Sequence, residues 1–150
     1  MNNTSNKLQQ NTNADLISIV IPCYNEQNNI TAVLRELQQV TSSISSAVFE
    51  IIVVDDGSYD DTPSVLKSIQ KDIPNMKVIR LKENMGQSTA MAIGIKKANG
   101  KYIITMDADG QNDPADIPLL LQNIKDYSCL LYTSDAADDL LCVDLGGRRI

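Results

Sequence analysis

The stretch FEIIVVDDGSYDDTPSVLKSI, residues 49–69, decides the fold class. Its first six residues, 49–54, form a mostly β-branched apolar run of the kind found in strands buried on both faces. A turn rich in Asp, Gly and Ser follows, and Val65, Leu66 and Ile69 then recur at helical spacing. The stretch therefore predicts a strand that leads through an acidic turn into a helix.

The same alternation continues on both sides of this stretch. Apolar runs predict further strands at residues 17–21, 76–81 and 102–106. Apolar stripes predict further helices, and their members are Ile30, Val33, Leu34 and Leu37; Met91, Gly94, Ile95 and Ala98; and Ile117, Leu120, Leu121 and Ile124. Alternating strands and helices predict an α/β domain with a mostly parallel sheet flanked by helices. The polar residues 1–15 predict a disordered lead-in.

Composition narrows the possible chemistry. The chain has 150 residues, 43% of them hydrophobic, which is typical of one soluble globular domain. The absence of histidine excludes a Ser-His-Asp triad and any histidine-ligated metal. A net charge of −6 and an aromatic content of 4% argue against a nucleic-acid partner. Three cysteines without a CxxC pair, and no apolar run long enough to span a bilayer, predict a cytoplasmic protein.

Polar segments follow three of the predicted strands, where ligands bind in parallel α/β sheets. These segments are Pro22-Cys23-Tyr24-Asn25-Glu26, Asp55-Asp56-Gly57-Ser58 and Asp107-Ala108-Asp109-Gly110-Gln111. Carboxylates gathered on one rim repel one another unless a cation or a ligand compensates them. This clustering is the strongest indication of a functional site in the sequence.

The third polar segment predicts a metal site. In an extended segment, residues two apart point the same way, so Asp107, Asp109 and Gln111 would offer their oxygens to one point. Such hard oxygen ligands suit Mg²⁺ or Mn²⁺. The alternative is that aspartates here only cap a helix that begins near Pro114, a role for which Asp113 is well placed. We favour metal binding.

The first two segments are suited to a nucleoside. The Asp55 carboxylate can accept a hydrogen bond from the ring N–H of uracil or guanine. We expect Asp56 and Ser58 to bond local backbone in the turn instead. Tyr24 can lie against a base and Glu26 can bond a ribose hydroxyl. The alternative is that Asn25 and Glu26 only cap the following helix.

Together these motifs resemble glycosyltransferase family 2, the enzymes with a GT-A fold. The matching stretches include ISIVIPCYNEQNNI, EIIVVDDGSYDDT and KKANGKYIITMDADGQNDPADIP, in that order within residues 16–127. The aspartate motif is most similar to the branch that makes polyprenyl-phosphate sugars, with dolichol-phosphate mannose synthase and undecaprenyl-phosphate glycosyltransferases. The resemblance implies a Rossmann-like GT-A half that binds a nucleotide sugar.

The resemblance also implies a reaction and a set of site residues. The reaction is metal-dependent, inverting transfer of a sugar from a nucleoside-diphosphate sugar to an acceptor, a polyprenyl phosphate in this branch. The implied nucleoside pocket consists of Pro22, Tyr24, Glu26, Val53 and Asp55. The residues implied to meet the diphosphate are Asp107, Ala108 and Asp109, and those implied to hold Mg²⁺ or Mn²⁺ are Asp107, Asp109 and Gln111. The parent protein would act at the cytoplasmic face of a membrane.

Residues 128–150, SCLLYTSDAADDLLCVDLGGRRI, do not continue the pattern. They are either a strand and a short helix that close the domain or foreign sequence joined to a truncated gene, and we favour the second. Two other functions therefore stay open. The chain could be a truncated, non-catalytic fragment that at most binds nucleotide, or a receiver-type phosphoacceptor domain built around VVDDGS.

Overall fold

The computed structural model describes residues 14–123 and 130–131. Most of the predicted disordered lead-in and most of residues 128–150 lie outside this part of the chain. The predicted alternation of strands and helices is confirmed within it. The strands are β1 (Asp15–Cys23), β2 (Ala47–Asp55), β3 (Met76–Arg80), β4 (Tyr102–Thr105) and β5 (Leu130–Leu131). The helices are α1 (Ile30–Ser43), α2 (Thr62–Ile69), α3 (Gln87–Lys97) and α4 (Ile117–Asn123), with a 3-10 turn at Pro114–Asp116.

The five strands form one sheet in the order β3-β2-β1-β4-β5. Every neighbouring pair is parallel, as strand–helix alternation predicts. The strand order changes direction between β1 and β4, because β2 and β3 extend to one side of β1 and β4 to the other. A parallel sheet with this order has its binding crevice at that switch point, beyond the carboxyl ends of the strands.

The core is divided between the two faces of the sheet. Ile19 and Ile51 belong to the larger apolar cluster, which includes buried residues of α1 and α2. Val20 and Ile52, one position further along, belong to a smaller cluster with Ala90 of α3. Successive strand residues point to opposite faces, so each strand contributes to both clusters. Helices on both faces fix the positions of the loops at the carboxyl ends of the strands.

A buried carboxylate joins the strands at the opposite end of the sheet. Glu50 of β2 accepts hydrogen bonds from Ser18 Oγ at 2.6 Å, the Asn99 N–H at 2.6 Å and Lys77 Nζ at 3.0 Å. Burial alone would raise the pKa of Glu50, but the hydrogen bonds from these groups outweigh it and lower the pKa to about 2. Glu50 therefore remains ionised in the folded protein and ties β1, β2 and β3 to the loop before β4.

The strand β5 falls within residues 128–150. Leu130 and Leu131 pair in parallel with Ile104 and Thr105 of β4. The remaining residues of this tail lie outside the described residues, so the hypothesis of a foreign tail stays a prediction. None of the helices in the described ranges is long and apolar enough to cross a membrane.

Candidate functional site

A cleft of about 660 Å³ opens at the carboxyl ends of the strands, at the switch point of the sheet. The loops after β1, β2, β3 and β4 all contribute to it. The lining residues are Pro22, Cys23, Tyr24, Glu26, Asp56, Asn84, Gly86, Gln87, Asp107, Ala108, Asp109 and Gln111. The structure therefore brings together all the predicted site residues except Val53 and Asp55.

The loop after β4 is bent and not extended. Asp109 Oδ1 accepts the N–H of Gln111 at 3.0 Å, and Asn112 Oδ1 accepts the N–H of Asp107 at 2.7 Å. The sequence analysis assumed an extended segment in which Asp107, Asp109 and Gln111 point the same way, and that assumption was wrong. The bend itself brings the three side chains to the same cleft.

Asp113, and neither Asp107 nor Asp109, is the capping residue in this loop. Asp113 Oδ1 accepts the N–H of Ala115 at 2.8 Å and caps the 3-10 turn, as its position predicts. Asp107 and Asp109 instead lie on the cleft. The capping alternative thus accounts for Asp113 and does not account for Asp107 or Asp109.

The donor set at the cleft fits a hard cation that is shared with a ligand. Within residues 14–123 and 130–131, no group of three or more His, Cys, Asp or Glu side chains could hold a metal. Asp107 is half-buried, whereas Asp109 and Gln111 are exposed. Together they offer two carboxylates and one amide oxygen. Mg²⁺ is commonly bound by one or two carboxylates, with substrate phosphates and waters as the other ligands.

Asp55 is fully buried beside the cleft and does not line it. Its Oδ1 accepts the N–H of Ser58 at 3.0 Å, and its Oδ2 lies 3.4 Å from Arg80 Nε. That contact is an ion pair without hydrogen-bond geometry, since Oδ2 has no hydrogen-bond partner among the described residues. Val53 points to the same face of β2 and is buried in the larger core cluster. One oxygen of Asp55 is therefore buried beside Arg80, with no hydrogen-bond donor among the residues that the structure describes.

Asp56 lines the cleft and accepts hydrogen bonds from the neighbouring loop after β3, just before α3. Its Oδ1 accepts the N–H of Met85 at 2.7 Å and its Oδ2 accepts that of Gly86 at 2.9 Å. Ser58 Oγ likewise accepts the N–H of Asn25 from the loop after β1, at 2.9 Å. The prediction that Asp56 and Ser58 bond local backbone was wrong, because both belong to hydrogen bonds between loops and Asp55 makes the local bond.

The loop after β1 is hydrogen-bonded to the loop after β2, and neither the Asn25 nor the Glu26 side chain caps α1. Asn25 has a φ of 55°, and its Oδ1 accepts the N–H of Tyr59 at 3.1 Å. The Glu26 side chain accepts a hydrogen bond from Asn29 Nδ2 at 2.9 Å, and Asn29 itself is the N-cap. Asn25 thus joins the loop after β1 to the loop after β2.

Tyr24 presents an aromatic ring at this edge of the sheet. Its ring is 40% exposed and meets the ring of Tyr59 edge to face, with centroids 6.0 Å apart. Such a pair restrains the orientation of Tyr24 while leaving part of its surface open. The geometry suits a ring that lies against a planar ligand.

Cys23 does not supply a nucleophile to the cleft. Burial, reinforced by the negative charge of Asp55, raises the pKa of its thiol to about 12. The thiol is therefore protonated at neutral pH, and Cys23 contributes only a small side chain to the wall of the cleft.

Neither Gly86 nor Gln87 was predicted as a site residue from the sequence, although both line the cleft. Gln87 Nε2 donates a hydrogen bond to Asp107 Oδ1 at 2.8 Å, and Gly86 has a φ of 92° that only glycine adopts readily. Their position after β3 was the available signal, because that loop must open on the same edge of the sheet.

A doubly wound parallel sheet with an acidic cleft at its switch point is typical of α/β domains that bind a ligand beyond the carboxyl ends of their strands. The receiver alternative is wrong, because receiver-type sheets follow the order 2-1-3-4-5 and this sheet runs 3-2-1-4-5. The chain belongs to glycosyl transferase family 2, whose family model matches residues 18–139. The resemblance inferred from the motifs is thereby confirmed.

Curated relatives are undecaprenyl-phosphate 4-deoxy-4-formamido-L-arabinose transferases. The protein of Pseudomonas paraeruginosa is 38% identical over 109 residues, which are 72% of this chain and 32% of the relative. That of Pseudomonas syringae is 40% identical over 108 residues, 71% of this chain and 32% of the relative. The chain thus spans about a third of the length of the curated relatives it matches.

Solved structures share the fold. Staphylococcus aureus TarS 1–349, solved in complex with UDP, has a TM-score of 0.62 and 26% identity over 74% of this chain and 32% of its own. The mannosyltransferase PcManGT from Pyrobaculum calidifontis, solved with GDP-Man and Mn²⁺, has a TM-score of 0.58 and 25% identity over 65% of this chain and 28% of its own.

Proposed function

We propose that the chain is the donor-binding part of a metal-dependent, inverting glycosyltransferase. The donor is a nucleoside-diphosphate sugar, and the acceptor of the whole protein is a polyprenyl phosphate. The observation that carries the proposal is the convergence of Asp107, Asp109 and Gln111 on one cleft with Tyr24 and Glu26. The names of the curated relatives support the lipid acceptor, and the ligands of the two solved neighbours support the donor and the cation.

We assign the nucleoside to the side of the cleft that is formed by the loops after β1 and β2. Tyr24 lies against the base, Glu26 bonds a ribose hydroxyl, and Pro22 and Val53 provide apolar support. The Asp55 carboxylate accepts the ring N–H of uracil or guanine. This last role is supported by the buried Oδ2 that has no hydrogen-bond partner in the described residues, because such an atom is costly until a donor reaches it.

The diphosphate is assigned to the loop after β4. Asp107, Ala108 and Asp109 meet it, and Asp107, Asp109 and Gln111 hold Mg²⁺ or Mn²⁺ against it. When bound, the cation stabilises the charge that grows on the departing diphosphate. The two carboxylates orient the donor, and they need such a cation because they would otherwise repel the phosphates.

A phosphate acceptor is consistent with a chain that has no histidine. The second pKa of a phosphate monoester is about 6, so the acceptor oxygen is already anionic and nucleophilic at neutral pH. It attacks the anomeric carbon with inversion, and the bond to the diphosphate breaks. Since the acceptor is a membrane lipid, we place the whole protein at the cytoplasmic face of a membrane.

Nucleotide binding without turnover is the second candidate for the 150 residues themselves. It is favoured by one observation, which is that the chain spans about a third of its relatives. The two candidates agree on the donor cleft and differ on transfer, so one protein sample can test both.

The test is calorimetric titration of the chain with UDP and with GDP, in Mn²⁺ and in EDTA. We expect Mn²⁺ to tighten binding of one nucleotide and Asp109→Ala to abolish that gain, because one of two anionic ligands is lost. Asp61→Ala is the matched control, since Asp61 is exposed and its side chain makes no capping bond. Equal affinities in Mn²⁺ and EDTA would contradict the proposal. Sugar transfer to undecaprenyl phosphate by the same chain would exclude the second candidate.

A further inference from the structure

Gln87 connects two loops that lie on opposite sides of the central strand. It is the first residue of α3, and its Nε2 donates a hydrogen bond to Asp107 Oδ1 at 2.8 Å. Both residues line the cleft. β1 lies between β2 and β4 in the sheet, so α3, which follows β3, begins across β1 from the loop that contains Asp107.

The backbone that presents Gln87 is itself fixed from the other side. The buried carboxylate of Asp56 accepts the N–H groups of Met85 and Gly86, the two residues before Gln87. Asp56 therefore sets the start of α3, and Gln87 transmits that position to the carboxylate of Asp107. The backbone N–H of Asp107 is held separately by Asn112, at 2.7 Å.

We propose that Gln87 is a positioning residue for Asp107. Its amide fixes the orientation of the Asp107 carboxylate before a cation arrives, so that less ordering remains to be done on binding. This inference rests on the proposed function, since it requires that Asp107 is a cation ligand. Partners that orient a metal ligand typically change metal affinity by about 10–100-fold when they are removed.

The substitution Gln87→Met tests this role. Methionine has a similar length and a good helix propensity but cannot donate the hydrogen bond. The matched control is Gln39→Met, the same change at an exposed position of α1 outside the cleft. For each full-length chain, the affinities for UDP and GDP are measured by calorimetry in Mn²⁺ and in EDTA, and urea unfolding is recorded alongside.

We expect Gln87→Met to reduce the gain in affinity due to Mn²⁺ by about tenfold while the affinity in EDTA stays the same. Gln39→Met should behave like the wild type. An unchanged gain in Gln87→Met would overturn the inference alone, and so would an equal loss in Mn²⁺ and EDTA, which would make Gln87 a direct contact of the nucleotide. The absence of any Mn²⁺ gain in the wild type would overturn the proposed function as well.

Discussion

The carboxylate of Asp56 accepts the backbone N–H of Gly86 at 2.9 Å, across 30 residues of chain. With the second bond to Met85, it lies beside the N-terminal end of α3, where the helix dipole favours a negative charge. Helix N-termini often bind the phosphates of nucleotides in this class of fold. Here the protein's own aspartate binds the two N–H groups that immediately precede the helix.

Neighbouring aspartates should therefore respond differently to the same substitution. We expect Asp56→Asn to lower the free energy of unfolding by about 1–3 kcal/mol, because an amide leaves one backbone N–H without an acceptor. We expect Asp55→Asn to weaken binding of UDP or GDP by about 1–3 kcal/mol, because the ring N–H would lose a charged partner. Urea unfolding and calorimetry of both variants measure the two effects.

Asp55→Asn and Asp56→Asn serve as controls for each other, because the same substitution at adjacent positions should affect different properties. If Asp56→Asn weakened the nucleotide more than Asp55→Asn did, the base would be bound by the residue that lines the cleft, and the assignment of Asp55 would be wrong. If Asp56→Asn left unfolding unchanged, the two backbone hydrogen bonds would not be stabilising α3.

Glu50 gives the stability of the domain a defined pH dependence. Its hydrogen bonds lower its pKa from the ordinary value of 4.5 to about 2 in the folded protein, so its contribution is complete above pH 4.5 and is lost as the pH falls towards 2. That difference corresponds to up to about 3 kcal/mol of unfolding free energy. We expect Glu50→Gln to remove this part of the acid sensitivity, as measured by urea unfolding between pH 7 and pH 2.

The control for Glu50 is Glu36→Gln, the same change at an exposed position of α1. It should keep the acid sensitivity of the wild type. A Glu50→Gln variant that lost stability with falling pH as steeply as the wild type would show that other carboxylates dominate acid unfolding.

The sequence predicted the sheet better than the site. Runs of β-branched residues identify β1 to β4 because a strand buried on both faces needs them, and parallel pairing follows from the helices between. The expectation that Asp56, and not Asp55, makes the local hydrogen bond was wrong, because the partners of each carboxylate depend on the face of β2 that it joins. The hydrogen bond between Gln87 and Asp107 could not be predicted either. The order of the strands brings the two residues together, and sequence spacing does not encode that order.

The thiol of Cys23 should be inert while the domain is folded. It is buried, and its pKa of about 12 keeps it protonated, so almost no thiolate exists at pH 8. We expect a Cys129→Ser, Cys142→Ser double variant to react with a disulfide reagent only as fast as it unfolds. Adding urea beyond the unfolding midpoint should release one reactive thiol at once. Rapid labelling in the folded state would contradict the burial of Cys23.

The pairing of β5 with β4 tests whether residues 128–150 belong to the domain. Chain 1–127 lacks β5, whereas chain 1–134 keeps it. The foreign-tail hypothesis predicts that chain 1–127 is as stable as chain 1–150 within about 0.5 kcal/mol. The pairing of β5 with β4 predicts instead a loss of about 1–3 kcal/mol in chain 1–127, because backbone hydrogen bonds are worth about 1 kcal/mol each, and we expect this second result. If residues 135–150 are foreign to the domain, chain 1–134 should match chain 1–150 within about 0.5 kcal/mol. All three chains should bind UDP or GDP equally, since every lining residue of the cleft precedes residue 112.

If chain 1–127 unfolded at the same urea concentration as chain 1–150, β5 would add nothing to the stability of the sheet, and the hypothesis of a foreign tail would be supported.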